Sequence, residues 1–106
     1  MNEYAVSTLA KQQKLEHVIH LTSFHLSPNH VGFLFPQYEM DFRKFLEDQR
    51  DARHLQMILI QVGKGILELH KLGYIHRDLK PDNIVLNLKP LKVLIIDFDR
   101  AKLDST

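Results

Sequence analysis

Four side chains in this sequence have the types and the spacing to work together on a phosphate. Asp78, Lys80 and Asn83 fall within the polar run His76-Arg77-Asp78-Leu79-Lys80-Pro81-Asp82-Asn83, and Asp97 closes a later apolar run. A carboxylate can accept the proton of an attacking hydroxyl, and an ammonium can neutralise phosphate charge. An amide oxygen and a second carboxylate can together hold magnesium, a cation that takes oxygen ligands. Taken singly these residues say little, since an aspartate ending a strand commonly serves a turn. Taken together they describe phosphoryl-transfer chemistry.

Such a set has to be held by rigid elements. Gly73-Tyr74-Ile75 before the polar run and Ile84-Val85-Leu86 after it read as short strands, and Val93 to Ile96 beyond a turn at Asn87 to Pro90 completes a hairpin that delivers Asp97. Leu55, Ile58, Leu59, Val62, Ile66 and Leu69 follow helical spacing, with Gly73 suited to the stop after Lys71. Gly63-Lys64-Gly65 inside that helix has no strand before it and no third glycine, so the glycines read as close-packing sites rather than a phosphate loop. Upstream, Asp41 can cap a short helix through Leu46, and Glu47 to Asp51 read as a solvated connection. Residues 2–16, with Val6, Leu9 and Leu15, suit a weakly amphipathic helix. Val18, Ile19, Leu21 and Phe24 suggest a strand, Ser27 to His30 a turn, and Val31 to Phe35 a second strand ending at Pro36.

Composition narrows the classes. The 106 residues carry 14 basic and 13 acidic side chains, a net charge of +1, with no basic run that would point to nucleic acid or an anionic membrane as a partner. Without cysteine there is no disulfide and no Cys-based zinc site. Charged residues interrupt the first 21 positions, and apolar runs such as Val93 to Ile96 are far too short to span a bilayer. The expected setting is intracellular, cytoplasmic or nuclear. Among the 7 histidines, His17 with His20 and His25 with His30 are near neighbours, but they lack acidic or thiol companions at ligand spacing, so surface or hydrogen-bonded roles are expected.

The pattern H-R-D-L-x-x-x-N at His76 to Asn83 resembles the catalytic loop of eukaryotic protein kinases, and Lys80, two residues after Asp78, resembles the serine/threonine branch. The resemblance implies ATP and Mg2+ as cofactors and a protein as substrate. Asp78 would then be the base, Lys80 the phosphate-facing cation, and Asn83 and Asp97 the metal ligands. It further implies that Phe35 is the gatekeeper, that the Pro36 carbonyl and the Tyr38 amide meet adenine at the hinge, and that Val85 forms the floor beneath it. The missing N–H of proline is no obstacle at Pro36, because the adenine contact uses its carbonyl. His76 would be a packed residue against Phe98, not a base. Residues 2–16 would be the family's helix C, with Glu3 either its lysine-pairing glutamate or a surface side chain near the terminus. Asp97-Phe98-Asp99 stands where the family has Asp-Phe-Gly, so Asp99 is a departure; it is expected to sit in a turn rather than bind metal.

The fold class implied is α+β, a partial protein-kinase-like fold: an N-lobe remnant over 2–35, a hinge at 36–38 and the start of the C-lobe over 39–106. A whole kinase domain needs roughly 250 residues by domain-size reasoning. The glycine-rich loop, its lysine, most of the activation segment and the later helices are not in these residues, so the chain by itself is expected to be inactive and marginally stable. Two alternatives stay open. A small-molecule phosphotransferase of the aminoglycoside type is favoured by Asp99 and opposed by Arg77 and Lys80. A catalytically dead kinase-like remnant is the other.

Overall fold

A computed structural model describes residues 2–21, 23–28, 30–48 and 51–103. In order these form α1 (Asn2–Gln12), β1 (Ser23–Ser27), β2 (His30–Leu34), β3 (Met40–Asp41), α2 (Phe42–Asp48), α3 (Ala52–Lys71), β4 (Tyr74–Ile75), a single 3-10 turn (Pro81–Asn83), β5 (Ile84–Leu88), β6 (Leu91–Ile95) and β7 (Lys102–Leu103). The mixture is α+β, as expected, but with three small sheets rather than two hairpins: β1-β2, β3-β5-β6 and β4-β7, every pair antiparallel.

The long helix α3 is the spine. Asp51 caps it by accepting from the Arg53 N–H, and Gly73, at φ +87°, turns the chain out of it in a conformation only glycine adopts without strain. Ile58, Val62, Gly65 and Leu69 face the interior along one stripe. Leu59, expected on that stripe, is instead 54% exposed. Met57, Ile60 and Leu67 are also exposed. The apolar residues of α3 therefore make two faces, of which one is packed. Two cores meet along it. One joins α2 and the start of α3 to β5 and β6 through Phe45, Ile58, Leu86 and Val93; the other joins α1, the end of α3, β6 and Phe98.

Three local expectations change. The first helix ends at Gln12 rather than 16, because Lys14 takes φ +56° and the Leu15 N–H folds back to the Ala10 carbonyl, closing the helix in the Schellman manner. Val18 to Leu21 do not run into a strand with Phe24. The Ile19 N–H goes to the Ile95 carbonyl and the Ile95 N–H to the His17 carbonyl, a parallel bridge that adds this segment to the open edge of β6, and β1 starts only at Ser23. Of the two α3 glycines, a Cβ on Gly65 would lie 2.8 Å from both the His17 carbonyl and Ile95 Cδ1, so it is a close-packing site; at Gly63 nothing comes within 4 Å, so it is not. Asp41 does cap α2, accepting from the Lys44 N–H at 2.8 Å. The expected connection at Glu47 to Asp51 is helical to Asp48, and its Gln49 and Arg50 lie outside the described residues, as does Asn29 of the expected turn. The His25 and His30 side chains are outside the description too, while the rings of His17 and His20 bond to the backbone carbonyls of Val93 and Leu15.

Candidate active site

The polar loop between β4 and β5 is fixed from inside by two buried polar side chains. The Asp78 N–H donates to Nδ1 of His76 at 3.1 Å, so the ring proton sits on Nε2, which donates to the Ile96 carbonyl at 2.9 Å. That wiring makes His76 a neutral bridge with neither nitrogen free to act as a base. Its ring meets Phe98 edge-on at 5.3 Å, the packed role expected of it. Asn83 donates from Nδ2 to the Asp78 carbonyl at 2.8 Å, with Asp78 Oδ2 at 3.4 Å, which leaves the amide oxygen as its atom suited to a cation. Lys80 Nζ lies 3.8 Å from Asp78 Oδ1, with both side chains partly open to solvent.

Asp97 arrives beside this loop because the residue before it is gripped on both sides. The Ile96 N–H donates to the Asn83 carbonyl at 2.9 Å, and the Ile96 carbonyl accepts from His76. Asp97 then takes φ +63° and Arg77 takes φ +69°, both in the left-handed region where non-glycine residues are uncommon and where strain marks functional turns. Asp99, the residue standing where the resemblance calls for glycine, has no such angle among the described positive-φ residues. The tight turn is made two residues earlier, at Asp97, whose Oδ1 faces the Asp99 N–H at 3.4 Å.

Glu3 is not a loose terminal side chain. Its carboxylate accepts from the Phe98 N–H, and Glu3, Asp97 and Asp99 each bring a carboxylate oxygen within 4.8 Å of the others. Burial raises the Glu3 carboxyl above the ordinary range, the Phe98 N–H opposes this, and the charges of Asp99 and Asp97 add to the rise.

A cavity of about 660 Å³ opens against this turn. Phe35, Pro36, Tyr38, Val85 and Asp97 all line it, together with Glu3, Ile19 and Ile96. Five of the eight residues singled out from sequence thus share one wall; Asp78, Lys80 and Asn83 lie outside the lining, on the loop next to it. The segment entering β3 is held by a reciprocal pair: the Glu39 N–H donates to Asn87 Oδ1 at 2.9 Å and the Leu88 N–H to Glu39 Oε1 at 3.2 Å. Pairing of Met40 with Leu86 and Asp41 with Val85 then places Val85 under the cavity. The volume is within the range of small-molecule sites, and apolar walls with carboxylates suit a flat ring carrying a charged, cation-bound tail. For the cation, Asp97 and Asn83 offer only oxygen donors, the type magnesium takes. The residues fit both groups.

Sequence reasoning treated Ile19 only as a strand residue and Asp41 only as a helix cap, though both line the cavity. It also passed over Glu68, whose carboxylate accepts from the backbone of Glu16 and His17. Its only signal was an acidic residue in the last turns of a helix, where the helix dipole disfavours it.

The description "Protein kinase domain" matches residues 2–105. The chain is 32% identical over 102 residues to mitogen-activated protein kinase HOG1 of Arthrobotrys oligospora, which covers 94% of this chain and 29% of that protein. It is 34% identical over 80 residues to homeodomain-interacting protein kinase 2 of Mesocricetus auratus, covering 69% of this chain and 7% of that protein. Homeodomain-interacting protein kinase 1 of Mus musculus matches at 35% over 80 residues, with the same shares. The chain therefore spans less than a third of the length of these curated relatives. Among the described residues, no helix is long and apolar enough to cross a membrane.

Proposed function

The chain belongs to the protein kinase domain family, and from that premise we propose that it carries the catalytic loop and nucleotide wall for phosphoryl transfer from ATP to serine or threonine hydroxyls of proteins, as part of a larger kinase domain. The observation that supports the reading is the double grip on Ile96, by the Asn83 carbonyl and the His76 ring, which ties the residue before Asp97 to the loop of Asp78 and Asn83. Magnesium-bound ATP supplies, when present, the phosphoryl group and the cation that offsets its charge.

This chain's own residues supply the positioning. Asp78 accepts the proton of the attacking hydroxyl at its carboxylate, and Asn83, bonded to the Asp78 backbone, keeps that carboxylate aimed. Lys80, beside Asp78, balances negative charge where the phosphoryl group passes. Asn83 and Asp97 would hold the cation through oxygen. Phe35, Pro36, Tyr38 and Val85 would hold the adenine ring, the Pro36 carbonyl and the Tyr38 amide offering it polar groups.

The test uses a kinase domain that contains this segment. Transfer of labelled γ-phosphate to a serine/threonine peptide is expected, with loss on Asp78→Ala. Transfer that survives Asp78→Ala, or labelling confined to an aminoglycoside with none on peptide, would sink the reading.

A further inference from the structure

The helix α1 touches the site at one end only. Glu3, in its first turn, accepts the Phe98 N–H, one residue after Asp97. The other end of α1 lies about 14 Å away, at a rise of about 1.5 Å per residue, and just beyond it a second carboxylate does the same thing in reverse. Glu68 of α3 accepts the Glu16 N–H at 2.9 Å through one oxygen and the His17 N–H at 2.8 Å through the other. Bonds from N–H groups to a carboxylate are roughly twice as strong as neutral ones, and two parallel ones fix a direction as well as a distance.

That direction matters because of what else holds this turn. His17 is already tied to β6 through its carbonyl and the Ile95 N–H, and it rests on Gly65, where no side chain separates the backbones. Those contacts fix His17 as a point. α1 itself is packed through Val6, Ser7 and Ala10, all fully buried, and the Leu21 N–H reaches the Ser7 carbonyl. The Glu16 N–H bond to Glu68 adds a directed anchor just past its end.

We propose that Glu68 is a positioning residue: by clamping the Glu16 and His17 amides it holds α1 as a strut, so that Glu3 at the far end keeps the Phe98 N–H and hence the turn carrying Asp97. The consequence for catalysis rests on the phosphoryl-transfer reading above; the structural coupling does not. The link runs from Glu68 through the Glu16 and His17 amides and α1 to Glu3 and Phe98, so it predicts an effect on an amide that Glu68 does not itself bond.

Amide hydrogen exchange on the full chain reads it without any catalysis. Glu68→Ala is expected to lower protection at Glu16, His17 and Phe98 at least tenfold relative to the α3 amides of Ile58 and Val62, which report global opening. Glu68→Gln, with one acceptor oxygen, is expected to keep one of the two turn amides protected and to restore Phe98 in part. Glu3→Ala should expose Phe98 alone. Gln61→Ala, which removes bonds from α3 to the β6 backbone at Leu91 and Val93, should leave Phe98 unchanged. Phe98 protection that stays intact in Glu68→Ala, or that falls equally in Gln61→Ala, would overturn the proposal; should Glu68→Ala not fold, the comparison of Glu68→Gln with Gln61→Ala decides it. In the parent kinase domain the same Glu68→Ala change is expected to lower kcat at least tenfold with little change in the peptide KM. Exchange coupling without any phosphoryl transfer would defeat the functional reading and leave the strut standing.

Discussion

Two turns in this site put a non-glycine residue at positive φ, and they are held in opposite ways. The turn at Arg77 is held by a closed set of bonds with few opposed charges: His76 bridges Asp78 to Ile96, Asn83 ties back to Asp78, and the Arg77 Nε donates to the Arg100 carbonyl at 2.7 Å. The turn at Asp97 shares that grip on Ile96 on one side, and on the other it leans on the Glu3 carboxylate, which stands among two others. Left-handed geometry costs on the order of 1–3 kcal/mol at each. At Arg77 the surroundings over-determine the turn. At Asp97 the holding group is itself opposed by its neighbours, so the turn should answer to protons and cations. On the proposed reading the difference suits the roles, since a catalytic base has to stay put whereas a cation site has to accept and release charge.

The largest effects should separate the two turns by role. In a kinase domain containing this segment, Asp78→Ala is expected to lower kcat by about 100-fold or more while leaving Mg-dependent nucleotide affinity nearly unchanged. Asp97→Ala is expected to weaken that affinity as well as kcat. Nucleotide titrations at several magnesium concentrations check this, and equal loss of affinity in both variants would erase the distinction.

Stability should separate them next. His76→Ala removes a buried ring and two hydrogen bonds, so denaturant unfolding is expected to show a loss of about 3 kcal/mol. Asp99→Gly touches only the exposed edge of the other turn and should change stability by less than about 1 kcal/mol. A larger effect at Asp99 would mean that the acidic turn, not the histidine bridge, carries the fold.

Within α3 the two glycines offer a similar contrast at smaller scale. Gly65→Ala would push a methyl into the His17 carbonyl and Ile95, with an expected loss of about 1–3 kcal/mol. Gly63→Ala meets nothing and should gain up to about 1 kcal/mol from helix propensity. Melting curves of the two variants decide it.

The smallest effect is the pH response of Glu3. Its carboxyl is raised in the folded chain by burial and by Asp99 and Asp97, so between its ordinary value and its raised one the folded state binds more protons than the unfolded state. Stability should therefore fall as pH rises through that window and level off above it. Glu3→Gln keeps an acceptor for Phe98 without the charge and should flatten the slope. Unfolding midpoints measured in chelator across pH 4 to 8 test this, and an unchanged slope would show that the acidic turn is not charge-limited.

How much could be read before folding varies sharply along the chain. Asp78, Lys80, Asn83 and the α3 stripe of Ile58, Val62 and Leu69 were legible because local order makes them informative: a short loop keeps its residues together in space, and a helix repeats its buried face every 3.6 residues. The same reasoning misplaced Leu59, since periodicity marks an apolar side chain without saying which of two faces is covered. The strand at Val18 to Leu21 was misread for a related reason, its backbone partners lying at Ile95, far along the chain.

What the sequence by itself determined was the polar loop, the helical spine and the hairpin that delivers Asp97, all set by residues near one another in order. What only the tertiary structure decided was which distant groups close the site. Ile96 is gripped by His76 and Asn83, Glu3 reaches Phe98, Glu68 reaches Glu16 and His17, and the positive φ falls on Asp97 rather than Asp99. Each is a hydrogen bond or turn whose partner is chosen by packing of α1 and β6 against α3, and a carboxylate carries no mark in sequence of which amide it will meet.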